Sequence, residues 1–301
     1  MVNEKHDRLS VFYLRTRMEK IALGTVQFGL DYGISNSQGK TSFEETVKIL
    51  ELASSSGINT LDTAFSYGTS EVVLGNIIQK YPDFEIVSKF PKPEEGSRIS
   101  DYLSQSLQKL KINYLYAYLA HDADVLINDP QLWDEVVELK SKGVISKIGY
   151  SLYSPEQLEK LLDLNFVPDI VQLPYNVLDR RFEQFFGEFK KHETIIHTRS
   201  AFLQGLLFMD SEHLSSYFDP IKPFLKEIQS TFFSRSDLSS ALMRFCIDNS
   251  FIDKVVIGVN TEQQLSENLS GLRSFKSVSK WPNFELKDKS MLLPYNWPKN
   301  L

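Results

Sequence analysis

Along the chain, short apolar runs rich in β-branched residues alternate with longer stretches in which apolar positions recur every three or four residues, the pattern of repeated strand-helix units. Eight such runs stand out: IALG from residue 21, INTLD from 58, FEIVSKF from 84, YLYAYLAH from 114, ISKIGYS from 145, DIVQLP from 169, TIIHTRS from 194 and KVVIG from 254. Between the first two, SFEETVKILELASSSG carries an apolar stripe through Val47, Ile49, Leu50 and Ala53, with Gly57 as its stop. DPQLWDEVVELKSKG repeats the plan, with Asp129 as the expected cap, Pro130 at the first helical position and Gly143 at the end.

Most runs start roughly 25 to 30 residues apart, the length of one strand, one helix and their loops, so the pattern predicts an α/β fold of the (β/α)8 TIM-barrel type. No Gly/Ser-rich or Pro-rich linker divides the chain, and residues 1–301 read as a single domain. Residues 1–20 precede the first strand as an arm, a small hairpin or a tail. The stretch between the seventh and eighth runs, with FMDSEHLSSYFDPIKPFLKEIQSTFFSRSD, is too long for a simple connection. It reads as a long insertion after strand 7 with its own helix, overhanging the active-site face.

Composition narrows the function. A chain of 301 residues, 42% hydrophobic, can bury a sizeable core. Its 33 basic and 39 acidic residues give a net charge of −6 with no basic cluster, which disfavours nucleic acid and anionic membrane surfaces as partners. Cys246 is the only cysteine, so neither an intrachain disulfide nor a cysteine zinc cluster forms. No apolar run approaches the roughly 18 residues of a membrane span. A cytoplasmic location is expected.

In such a barrel, chemistry is built at the C-terminal ends of strands. Asp62 ends the second run, Lys89 the third and His121 the fourth, and Tyr67 lies in the loop just beyond Asp62. Each has an ordinary structural explanation: a helix cap, a solvated strand end, a core histidine, a packed aromatic with a wet hydroxyl. Together, with a lysine in one apolar strand and a histidine ending its neighbour, they point to one shared site.

These residues carry a resemblance to the aldo-keto reductases, NAD(P)H-dependent (β/α)8-barrel enzymes that reduce carbonyls. DTAFSYGTSEVVLG is similar to the family block D-T-A-x-x-Y-G-x-S-E-x-x-L-G, VSKF to the strand bearing its lysine, and LAHDAD to the strand ending in its histidine. IGYS and IVQLPYN resemble its nicotinamide-contacting strands, and RSAFLQGLL its pyrophosphate loop. The resemblance implies Asp62, Tyr67, Lys89 and His121 as a catalytic tetrad, with Tyr67 as general acid. A free phenol is a weak acid at neutral pH; Lys89 would lower its pKa, Asp62 would keep Lys89 charged and aimed, and His121 would orient the carbonyl.

For the cofactor, the resemblance implies NADPH, with NADH as the alternative. Ser151 and Gln172 would hold the nicotinamide carboxamide, although Leu152 stands where the family usually has Asn. Arg199 replaces the family's stacking Tyr, and its planar guanidinium can stack in turn. Ser200, Phe202 and Gly205 would follow as the pyrophosphate loop, and Glu267 and Asn268 would meet the adenine amino group. Gly258 and Gln264 fall where NADPH-preferring members place Lys and Arg. Either other groups, such as the backbone of residues 259–261, hold the 2′-phosphate, or the NADPH preference is weak.

Other features are less telling. His192 and His197 lack a third ligand, so no metal site is expected. GTVQFG and GLDYGISN lack the G-x-G-x-x-G spacing and read as the loop after the first strand, with Phe28 and Tyr32 as candidate walls of the substrate pocket. The reductase of a small-molecule aldehyde, ketone or sugar carbonyl leads two alternatives: a nicotinamide-binding sensor with little turnover, and an aldolase-type barrel using Lys89 as a Schiff base.

Overall fold

The computed structural model describes residues 17–274 and 289–298, together with 278, 281, 284 and 286. All eight apolar runs contain strands: β1 Ile21–Gly24, β2 Thr60–Asp62, β3 Glu85–Phe90, β4 Leu115–Ala120, β5 Ile145–Ser151, β6 Ile170–Pro174, β7 Ile195–Arg199 and β8 Lys254–Gly258. Each pairs in parallel with the next, and β1 pairs in parallel with β8 to close the predicted barrel. Strands covered on both faces need nearly continuous apolar sequence. β1, β2 and β6 are buried at every position.

Around the strands run α1 Phe43–Ser55, α2 Ser70–Gly75, α3 Ile99–Leu110, α4 Asp124–Asn128, α5 Gln131–Ser141, α6 Pro155–Asp163, α7 Phe186–Lys191, α8 Lys222–Thr231, α9 Arg235–Ile247 and α10 Glu262–Ser274. α1 starts where Ser42 Oγ accepts from Glu45 N, buries Ile49, Leu50 and Ala53, and is followed by Gly57 at φ +84°. Asp129 is not the cap of α5. Pro130 holds that position without a side-chain bond, because Asp129 is used to end the short α4, its N–H donating to Val125 O.

Three hydrophobic clusters form among the described residues, the smallest of Val87, Ala117, Leu119 and Ile170 on the barrel strands. The largest lies in the barrel and beneath its helices. The second joins Phe218 and Ile221, and Phe224, Leu225 and Ile228 of α8, to Leu242 of α9 and to Met291, Leu292 and Trp297 near the C-terminal end. Each fully buried side chain of this size contributes about 1.5–3 kcal/mol, so the insertion after β7 carries its own packed core. Residues 1–16 of the expected N-terminal arm lie outside the described residues. At its described end, Lys20 Nζ donates to the carbonyls of Ile247 and Asn249. No helix among the described residues is long and apolar enough to cross a membrane.

Candidate active site

β2 and β3 pair so that Asp62 stands opposite Val87, which brings Lys89 within reach one turn of the pleat further on. Lys89 Nζ donates to Asp62 Oδ1 at 2.6 Å and to Thr63 O at 3.0 Å, and both side chains are fully buried. Asp62 Oδ2 accepts from Gln172 Nε2 of β6 at 2.7 Å. A buried ion pair is tolerable only when its remaining lone pairs and protons find partners, and this one has them on three strands or strand ends.

Tyr67 is held by contact between two loops. Gly29, after β1, lies against the Tyr67 carbonyl so closely that a Cβ there would collide with it, and Gly68, at φ +58°, lies against the Gly29 carbonyl. Ser70 Oγ donates to Thr25 O at 2.9 Å and ties the same two loops together. The Tyr67 ring meets the His121 ring edge to face, centroids 5.5 Å apart, and Lys89 Nζ stands 5.2 Å from the Tyr67 ring centre.

The electrostatics depart from expectation at one point. Burial raises the Tyr67 pKa, Asp62 and Tyr153 add to the rise, and Arg199 opposes it. The expected lowering by Lys89 does not appear: its ammonium donates to Asp62 and the Thr63 carbonyl and lies over the ring, 5.2 Å from its centre. The phenol is therefore neutral. Burial, then Lys89, then Arg199 pull His121 down to about 3, so its imidazole is neutral as well at pH 7.

Two cavities adjoin this group. The first, of about 620 Å³, runs from Asp62, Tyr67, Gln172 and Arg199 past Ser200, Phe202 and Gly205 to Gly258, Gln264, Glu267 and Asn268. The second, of about 760 Å³, is lined by His121, Ser66, Lys92, Asp122, Asp124 and Tyr153 among others. The Tyr67 and His121 ring pair and the Arg199 guanidinium, 4.5 Å from the Tyr153 ring centre, stand between the two.

Within the first cavity several side chains are already committed. Gln172 has its donor on Asp62, which leaves its carbonyl oxygen to accept. Arg199 donates to Leu152 O at 3.0 Å, the position where an Asn was expected, and stacks on Tyr153. The backbone takes positive φ at Ser200, Leu203, Gln204 and Gly205, which bends the loop back after β7. Gln204 Nε2 donates to Tyr32 Oη at 2.9 Å and links the β1 and β7 loops. Asn268 Oδ1 accepts from Ser239 Oγ at 2.5 Å, and Glu267 Oε1 from Gln263 Nε2 at 2.8 Å.

Not every candidate reaches the cavities. Phe28 is fully buried in the larger core and lines neither, because its short 3-10 turn points it inward, whereas Tyr32 four residues on is on the wall. Ser151 stands opposite Gln172 in the β5-β6 register but is buried away from the lining. His192 pairs with Glu188 at the surface while His197 is buried in the barrel, so the two share no site. Sequence reasoning missed Gln27, Tyr153, Phe208 and Arg235, all on cavity walls. Arg235, just after the capping Ser234, could have been found as a helix start, but not as part of the cavity wall that also includes Asn268.

The sequence model of the Aldo/keto reductase family matches residues 20–280. The chain is 24% identical over 280 residues to the uncharacterized oxidoreductase YqkF of Bacillus subtilis, covering 84% of this chain and 90% of that one. It is 28% identical over 178 residues to the NADH-specific methylglyoxal reductase of Escherichia coli, about half of each chain (50% and 54%). Among solved structures, the fold is similar to aldo-keto reductase AKR11C1 from Bacillus halodurans in its holo form (TM-score 0.69, 22% identity, 86% and 88% of the two chains). It is also similar to an aldo/keto reductase from Klebsiella pneumoniae in complex with NADP and acetate (TM-score 0.64, 20% identity, 86% and 87%). A closed eight-stranded barrel, a buried Asp-Lys pair beside a tyrosine and a histidine, and a family match across most of the sequence lead to one assignment: the chain belongs to the aldo/keto reductase family.

Proposed function

We propose that the chain is an NAD(P)H-dependent reductase of an aldehyde, ketone or sugar carbonyl, with Tyr67 as its proton donor. Family membership supports nicotinamide-dependent carbonyl reduction in general. The observation that carries the finer reading is the position of the Tyr67 and His121 rings between the two cavities, above the buried Asp62-Lys89 pair.

The first cavity fits a dinucleotide. Its volume falls within the roughly 300–1,000 Å³ of small-molecule sites, and Gln27 Oε1, on its wall, is buried with no hydrogen-bond partner among the described residues. A bound reduced nicotinamide would supply the hydride. Tyr67, neutral, donates its hydroxyl proton to the carbonyl oxygen as negative charge develops there, and His121, also neutral, offers a ring N–H to the same oxygen. Arg199 is the nearby charge that favours the resulting phenolate, while Asp62 fixes Lys89 in place. The second cavity, on the His121 side, admits the substrate. Lys89 is fully buried and ion-paired, which weighs against a free-amine nucleophile and the aldolase reading.

Tyr67→Phe tests the assignment. It should reduce kcat by about 10²- to 10⁴-fold and leave the dissociation constant for NADPH, measured by quenching of intrinsic fluorescence, nearly unchanged. Wild-type turnover by this variant on a good substrate would remove Tyr67 from the mechanism.

A further inference from the structure

At the far end of the first cavity, the two positions where a basic residue was expected are closed to that role. A Cβ at Gly258 would meet the Gln27 side-chain amide at 2.5 Å, so a side chain from the β1 loop already fills that space. Gln264 Oε1 accepts from Asn260 N at 2.8 Å and is used to close the loop between β8 and α10.

A cation stands elsewhere on the same wall. Among the described residues the cavity is lined by two, Arg199 and Arg235. Arg199 is held at the catalytic end by Leu152 O and the Tyr153 ring. Arg235 is the first residue of α9, exposed, with its guanidinium carbon 4.9 Å from the Phe208 ring centre. No carboxylate among the described residues pairs with it: Asp237 accepts from Ser234 Oγ at 2.9 Å, and Glu267 from Gln263 Nε2.

We propose that Arg235 reads the 2′-phosphate of a dinucleotide laid along this cavity, giving the chain a preference for NADPH over NADH from the helix that precedes β8. The inference rests on the nucleotide-binding reading above. A guanidinium presents a planar fork of donors that matches a phosphate, and the Phe208 ring, 4.9 Å away, gives that group a cation-π contact on the cavity wall. NADH lacks that phosphate and forgoes only this contact. Adenine recognition is left to Asn268 and Glu267, on another helix.

Calorimetric titration with 2′,5′-ADP, 5′-AMP, NADPH and NADH separates the alternatives. The wild-type protein should bind 2′,5′-ADP about tenfold or more tightly than 5′-AMP, the gain expected of a charge-assisted phosphate contact. Arg235→Ala should bring the two within about twofold of each other by weakening 2′,5′-ADP and NADPH alone, and Arg235→Lys should restore part of the difference. Arg235 is exposed, so an unchanged thermal midpoint is the folding control. Equal weakening of 5′-AMP and 2′,5′-ADP would mean that Arg235 stacks on adenine and would overturn the proposal, as would an unchanged ratio. If NADPH and NADH bind but discrimination survives Arg235→Ala, this inference alone falls; if none of the four binds the wild-type protein, the nucleotide-binding reading falls with it.

Discussion

At the scale of single residues, the site depends on a charge pair that water does not reach. Asp62 binds Lys89 through one oxygen and Gln172 through the other. Removing one partner of such a pair strands a buried charge, whereas removing both leaves a polar gap that can be packed. Asp62→Asn should therefore lower unfolding stability in urea by about 3–5 kcal/mol, and Asp62→Asn combined with Lys89→Met should recover most of that loss without recovering turnover. Equal stability of the single and double variants would show that the pair does not act as a unit. The same pairing engages the Lys89 ammonium, and the Tyr67 phenol is raised first by burial and then by Asp62 and Tyr153. Asp62, Lys89 and His121 were legible because each polar side chain ends an apolar run, and Tyr67 because it follows Asp62 in a loop that matches the family block. The direction of the phenol's pKa was not, because it is set first by how deeply the folded barrel buries a loop residue.

Elements position these residues through backbone contact, and here the sequence is less readable. The eight strands were legible from periodicity, since parallel strands buried on both faces leave long apolar runs. Asp129 was misassigned because a five-residue helix, α4, leaves almost no periodic signal. Phe28 and Tyr32 look alike in sequence, and only the 3-10 turn after β1 sends the first inward and leaves the second on the cavity wall. Gly29 shows the consequence for function. Gly29→Ala would push the β1 loop off the Tyr67 carbonyl, and an overpacked contact of this kind costs about 1–3 kcal/mol. The variant should lose turnover by a larger factor than it loses NADPH affinity. Gly57→Ala is the control: a Cβ there meets nothing within 4 Å, so only its φ of +84° is strained. It should cost about 1 kcal/mol and leave turnover intact. Loss of turnover in both would point to general destabilisation.

Across the whole molecule, the barrel interior keeps its ionisable groups in unusual states, and this sets its response to acid. His197 of β7 is buried with Nδ1 unpartnered among the described residues. Burial, then Lys254 and Lys89, depress its pKa to about 3 from 6.5. Below its unfolded pKa the unfolded chain holds the extra proton, so stability is full above about pH 6.5 and declines as pH falls toward 3. His197→Gln should flatten the dependence of thermal midpoint on pH between about 6.5 and 4, a window set by these pKa values; an unchanged slope would assign the acid sensitivity elsewhere, His121 first. Barrel closure has a different consequence, one of timing. β1 finds its second neighbour only in β8, 233 positions later in the chain (254 less 21). At about 5–20 residues per second, a ribosome takes roughly 10–50 s to bridge that gap. For that interval the nascent sheet has two raw edges able to pair with other chains. The fate of each newly made copy, barrel or aggregate, is decided when Lys254–Gly258 emerges.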